Sequence, residues 1–341
     1  MEKIILQKII DYDNSRKAAL CTQIDWKGSV PRKDFPMMLV DEAGEIIGTI
    51  GGGALEHEAI EIAKDVITVR KPIVQQFNLT NQDVSKTGSI CGGVTTILIE
   101  PYTSHTIKIL KAINSNSGLL VTKITEETCN IDRQVINNKE IPPLPKKVSD
   151  GIAEVKKSKF SKSVKIGNTF YLIQYFGQSP VLHIFGAGHV GQAVAETANF
   201  IGIETKIYDE RKDLNNAERF PFTSENNTND LNEIVKSATI NPNDFVLVAT
   251  RGHQHDFELM QWLLQKELSY ISLVSSNKKW QLLSEALMND GISENKINQV
   301  HSPVGLDIGS ETVPEIAISI IAELINHYRK QKKSAIALSK I

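Results

Sequence analysis

The residues best able to do chemistry in this chain lie in glycine-rich turns. Behind the apolar run Val181–Phe185, Gly186, Gly188 and Gly191 form a GxGxxG that opens a helical stretch. Gly186 permits a tight turn, Gly188 lets a pyrophosphate approach the backbone, and Gly191 allows close packing of helix on strand. The helix N-terminus then faces the anion. A ribose-binding carboxylate is expected about 20 residues on, at the end of the next strand. Asp209 in KIYDERK occupies that place, and Arg211 beside it suits a 2′-phosphate. The alternative is a glycine turn in a nucleotide-free Rossmann fold, since fold does not guarantee ligand.

A second glycine run, GTIGGGALEHEA, carries Gly51, Gly52 and Gly53 from a strand into a helix. Consecutive N–H groups there can form an anion nest; close packing of strand on helix explains the same residues. Glu56 in the first helical turn fits ordinary dipole pairing. Upstream, GSVPRKD offers Arg32 as a partner for phosphate, or as a solvated surface charge. In SKTGSICGGV, Cys91 adjoins Gly92 and Gly93. Beside exposed amides its thiol would be acidified toward thiolate, and a small buried core thiol is the competing reading. Cys21 lies in an apolar strand and reads as structural, while Cys129 lacks supporting groups.

Ligands of open α/β sheets sit beyond the carboxyl ends of the strands. The polar residues there are Thr250, Arg251, His253, His255 and Asp256 after one strand, and Ser275, Ser276, Asn277 and Lys278 after the next. His253, His255 and Asp256 are candidate metal ligands, but an HxH and one carboxylate in a loop is a weak signal that solvated or hydrogen-bonding roles explain better, and no metal is expected.

The elements that position these residues divide the chain in two. Residues 1–178 read as a mixed α+β domain. An amphipathic first helix leads to strands over 18–26 and 37–50, with a turn at Glu42–Gly44. A helix from Ala54 shows Leu55, Ala59, Ile62, Ala63 and Val66 on one face, and a buried strand covers 94–102. Residues 125–165, polar and broken by Pro142, Pro143 and Pro145, read as an irregular connection; a strand at Thr169–Tyr175 follows. Residues 179–341 alternate apolar runs with helices, the pattern of a Rossmann-like parallel sheet. Its strands are Val181–Phe185, Glu204–Tyr208, Phe245–Ala249 and Tyr270–Val274.

The 341 residues, 41% hydrophobic and 23% charged, have the balance of an ordinary globular protein of about two domains. A net charge of −2 gives no global attraction for nucleic acid or anionic lipid. No secretion signal or membrane segment is expected, and three cysteines without a CxxC pair imply a reducing, cytoplasmic setting.

Together these residues resemble the XdhC/CoxI family, the accessory proteins of xanthine dehydrogenase and related molybdenum hydroxylases. The resemblance runs through Gly28-Ser29-Val30-Pro31-Arg32, Gly48-Thr49-Ile50-Gly51-Gly52-Gly53-Ala54-Leu55-Glu56, Cys91-Gly92-Gly93, HIFGAGHVGQ from His183, and the closing VHSPVGLDIGSETVPEIAISIIAE from Val300 to Glu323. It implies binding of molybdenum cofactor (molybdopterin), its protection during sulfuration by a cysteine desulfurase, and its delivery to a hydroxylase apoenzyme. The bottom-up reading is compatible: a phosphate-bearing pterin needs N–H nests and Arg, and a soft metal centre favours thiolate. Family members carry Cys or Ala after the glycine triplet. Ala54 removes that candidate ligand and makes Cys91 the preferred thiol. Ser272 and Ser275 stand where the family leads one to expect glycine. A homodimer is expected.

A maturation chaperone, not itself a catalyst, is therefore the leading expectation. The competing class is an NAD(P)-dependent oxidoreductase built on GAGHVG, Asp209 and a His253/His255 proton donor. Three scattered cysteines do not supply the four-cysteine spacing of an iron–sulfur protein.

Overall fold

The computed structural model describes residues 2–13, 15–79, 92–115, 118–136, 143–177 and 180–338. The chain divides into two units, Met1–Gln178 and Ser179–Ile341.

In the first unit β1 (Ala18–Lys27) is central to a five-stranded antiparallel sheet, flanked by β2 (Met37–Asp41) with β3 (Ile46–Gly48) and by β5 (Val94–Pro101) with β4 (Ile73–Asn78). Strand alternation sends Ala19, Cys21, Met38 and Val40 to one face, where Leu55, Ala59, Ala63 and Val66 of α2 (Gly53–Val69) cover them. Leu20 and Leu39 face the other way, onto Leu6 and Ile9 of α1 (Glu2–Ile10) and Leu110 and Ile113 of α3 (Ser104–Ser115). Burying a side chain of this size is worth about 1.5–3 kcal/mol, so both faces of the sheet contribute to the core.

The segment expected to be irregular holds regular elements among its described residues: β7 (Ile131–Ile136), α4 (Lys146–Ser158) and β8 (Lys162–Ile166). The two strands join β6 (Gly118–Thr125) and β9 (Thr169–Phe176) in a second antiparallel sheet of order β7-β6-β9-β8. Val148, Ile152 and Val155 of α4 are fully buried on that sheet. Three apolar residues at helical spacing suffice to dock a helix that is otherwise polar.

The second unit is a six-stranded sheet, parallel throughout, of order β12-β11-β10-β13-β14-β15. The strands are β10 (Leu182–Phe185), β11 (Thr205–Tyr208), β12 (Glu225–Asn227), β13 (Phe245–Val248), β14 (Tyr270–Leu273) and β15 (Val300–His301). Two of these lie outside the four expected strands. Numbered within the unit the order is 3-2-1-4-5-6, with its topological switch point between β10 and β13. Leu182, Ile184 and Ile207 pack on α5 (His189–Phe200) and α9 (Val313–Leu338), whereas Phe185, Tyr208, Val246 and Val248 pack on α6 (Leu231–Ser237), α7 (His253–Leu263) and α8 (Asn277–Asn289). Helices on both faces explain why these strands read as unbroken apolar runs. Among the described residues no helix is long and apolar enough to cross a membrane.

Candidate functional site

The glycine loop between β10 and α5 shows three different constraints. Gly186 has φ +125°, and a Cβ there would lie 2.2 Å from the Ala249 carbonyl oxygen. A Cβ on Gly191 would lie 2.0 Å from the carbonyl oxygen of Gly186, so only glycine lets α5 sit this close to its own strand. Gly188 differs from both: it is the N-cap of α5, makes no side-chain cap, and a Cβ there would meet nothing within 4 Å. The space that the helix N-terminus faces is therefore open, as an approaching anion requires.

Asp209 stands at the end of β11, but its carboxylate is already engaged. Oδ2 accepts the Ala187 amide at 2.7 Å and Arg211 Nη2 at 2.6 Å; Oδ1 accepts Arg211 N at 3.0 Å and Nε at 2.8 Å. Burial pushes this carboxyl up, and the Arg211 and Ala187 hydrogen bonds outweigh it, holding the group ionised below its usual range. Arg219 braces the same loop from the other side, donating to the Ala187 and Leu214 carbonyls and to Gln192 on α5.

A cavity of about 220 Å³ opens beside this loop, lined by Phe185 and Gly186, by Tyr208 to Arg211, by Thr250 and Arg251 after β13, and by Leu231, Ile234, His255 and Leu259. It lies at the carboxyl end of the strands, next to the switch point, where doubly wound sheets bind ligands. Its floor is stiffened from below. The Tyr208 ring stacks on Phe185 at 4.6 Å, and its hydroxyl bonds the buried His183 ring at 2.9 Å. His183 Nε2 in turn lies 3.3 Å from Asp244.

The His253/His255/Asp256 set is not a convergent metal site. Asp256 is fully buried, accepts the Thr250 hydroxyl at 2.6 Å and pairs with Lys279 of α8; His253 and His255 are exposed. Among the described residues no group of three His, Cys, Asp or Glu side chains is placed to hold a metal. Ser272 is buried and donates to the Val246 carbonyl at 2.8 Å, and Ser275 bonds Ser302 at 2.8 Å, so both serine side chains are occupied within the fold.

In the first unit the Gly51–Gly53 run does form an anion nest, with φ of 144°, 77° and 63°, and the anion in it is the chain's own. Glu56 Oε1 accepts the amides of Ile50 at 2.9 Å, Gly51 at 3.2 Å and Gly52 at 2.8 Å, together with the Thr49 hydroxyl. Dipole pairing understates this residue. Arg32 is held by Asp34 through two contacts, 3.0 Å from Nε and 2.5 Å from Nη2. Cys91 lies outside the described residues. Its neighbours Gly92 and Gly93 close on the Gly28 loop, since a Cβ on Gly93 would meet the Ser29 and Lys27 carbonyl oxygens at 2.2 and 2.7 Å. A Cβ on Gly51 would meet Pro31 at 3.0 Å. The Gly51–Gly53 run and Gly92–Gly93 therefore both pack against the Gly28–Arg32 loop. Cys21 is buried, and desolvation, with Glu100 and Glu56 adding to it, pushes its thiol up to about 12, the behaviour of an inert core cysteine.

A 3-2-1-4-5-6 parallel sheet with a glycine loop and a cavity at its switch point defines the second unit as a Rossmann domain. The family is equally definite: residues 182–324 match the XdhC Rossmann domain and residues 12–78 match the XdhC and CoxI family, and the chain belongs to that family. A Bacillus halodurans protein whose crystal structure is described as that of a xanthine dehydrogenase superimposes with a TM-score of 0.81 at 26% identity, over 96% of both chains. A Bacillus subtilis protein described as a probable component of xanthine dehydrogenase is 24% identical over 322 residues, 92% of this chain and 94% of that protein. YqeB of Escherichia coli is 27% identical over 308 residues, which is 90% of this chain and only 43% of YqeB. Xanthine dehydrogenase thus appears in the descriptions of two of these relatives.

Proposed function

We propose that this protein is an accessory chaperone that binds molybdenum cofactor and supports its sulfuration by a cysteine desulfurase and its insertion into xanthine dehydrogenase or a related molybdenum hydroxylase. One observation carries the reading: the α5 N-terminus at Gly188 is uncapped by any side chain and open to solvent space, beside a cavity that presents Arg211 and Arg251. A phosphate-bearing pterin fits such a place, because N–H groups at a helix end and guanidinium groups are the natural partners of phosphate. Gly186, Gly188, Gly191 and Asp209 would shape that end of the site. The Gly51–Gly53 nest and Arg32 are matched by Glu56 and Asp34, so their part is to hold the Gly28–Arg32 loop unless those acids are displaced. Cys91 is proposed as the protecting thiol. When bound, the cofactor supplies the molybdenum and dithiolene chemistry that the hydroxylase uses.

The test is native mass spectrometry of the protein purified with its own ligand, followed by activation of an apo-hydroxylase with and without the desulfurase. Released pterin phosphate and protein-dependent activation are expected. A protein that yields no pterin and leaves the apoenzyme inactive sinks the proposal.

The strand order and the glycine loop favour a second reading, an NAD(P)-dependent oxidoreductase. Release of a nicotinamide dinucleotide in the same measurement, together with hydride transfer to a carbonyl substrate, is the outcome that selects it.

A further inference from the structure

The Rossmann cavity departs from the usual diol-binding arrangement in one respect. In that arrangement the carboxylate after the second strand accepts the ribose hydroxyls. Here four hydrogen bonds already engage Asp209, two of them from the Arg211 side chain and one from the glycine loop itself. Those four bonds take up the roughly four lone-pair sites of a carboxylate, so admitting a diol would mean breaking a bond to the Arg211 cation or to the glycine loop.

What remains unspent is cationic. Arg251 is exposed and has no ion-pair partner among the described residues. Arg211 uses Nε and Nη2 on Asp209, and its Nη1 bonds nothing among the described residues. Helix α7 begins at Gly252 without a side-chain cap, and a Cβ on Gly252 would meet nothing within 4 Å. Glu210 also reaches the rim, so the formal charges of the two lining acids and two lining arginines cancel. The preference therefore comes from availability: Asp209 is neutralised in place by Arg211, Glu210 and Arg251 are both exposed to screening water, and Arg211 Nη1 and the Arg251 guanidinium are lining donors without a partner among the described residues.

We infer that this cavity is a phosphomonoester site: it takes a ligand that ends in a phosphate dianion, held by Arg211 and Arg251, in preference to the same ligand with a free hydroxyl. The inference rests on reading the glycine loop as a ligand site. Two sources share this chemistry, the terminal phosphate of a pterin and the 2′-phosphate of a dinucleotide.

Calorimetric titration of the full chain with two matched pairs separates them: a stable oxidised pterin phosphate against its dephosphorylated form, and NADP⁺ against NAD⁺. In one pair the phosphorylated member should bind at least about ten-fold more tightly, and that pair names the source. Arg251→Gln, at an exposed residue, should shrink the gap to about three-fold or less with an unchanged melting temperature. Equal affinity within a pair that binds, or a gap that survives Arg251→Gln, overturns this inference and leaves the site as a ligand site. Failure of all four probes to bind overturns the inference and the ligand reading together.

Discussion

The Glu56 carboxylate sits in the nest of its own glycine run, 2.8 Å from the Gly52 amide. Burial pushes this carboxyl up, and the bonds from Thr49, Gly52, Gly51 and Ile50 outweigh it, so the folded value lies below the ordinary 4.5. A depressed folded value stabilises the protein above the unfolded value, and that stability is lost as pH falls through the folded one. Below pH 4.5, wild-type stability should therefore drop more steeply than that of Glu56→Gln, while at neutral pH the variant should be about 1–2 kcal/mol less stable. Urea titrations at several pH values check this; parallel curves for the two proteins would contradict it.

The two helix-side glycines of the second unit should fail in different ways. Gly191→Ala forces a Cβ against the Gly186 carbonyl and should cost about 1–3 kcal/mol by overpacking. Gly188→Val meets open space, so its stability cost should stay near about 1 kcal/mol or less, the loss expected at an N-cap. Phosphate-ligand affinity should nevertheless collapse in the second variant, measured by calorimetry beside a melting curve. A Gly188→Val protein that binds normally removes the glycine loop from the site.

Asp256 and Lys279 form a buried pair, and Lys279 keeps 21% of its side chain exposed. Asp256→Asn should cost about 2–3 kcal/mol, below the usual penalty for breaking a fully buried pair because water reaches the lysine. Adding Lys279→Met should restore part of the loss, a coupling that a double-mutant cycle reads directly. Additive losses would mean that the two side chains act independently.

Thiol chemistry should distinguish the cysteines. Cys21, buried and with its thiol pushed up to about 12, should resist alkylation at pH 8 until the protein unfolds. Cys129 is half-buried and should react in the native state. Cys91→Ser should lower retention of molybdenum cofactor and activation of the hydroxylase, whereas Cys129→Ser should leave both unchanged. Retention by the Cys91 variant equal to that of the parent would leave Cys91 without a protecting role.

Much of the second unit was legible in the sequence because its signals are local. Four strands of continuous apolar residues and a glycine loop in fixed register with them depend only on neighbours along the chain. The polar triplet Glu225–Asn227 and the pair Val300–His301 escaped because strands this short have no periodicity and exist through pairing with β11 and β14. The 125–165 segment was hidden by its polar and proline-rich composition, although Val148, Ile152 and Val155 already carried a helical spacing. Only tertiary structure decided which charges are spent. The sequence placed Asp209, Glu56, Arg32 and Asp256 correctly along the chain, yet their partners Ala187, Gly52, Asp34 and Lys279 were selected by how turns and helices close in space. A carboxylate's availability depends on donors within about 3 Å of it, and such distances are set by packing rather than by residue order.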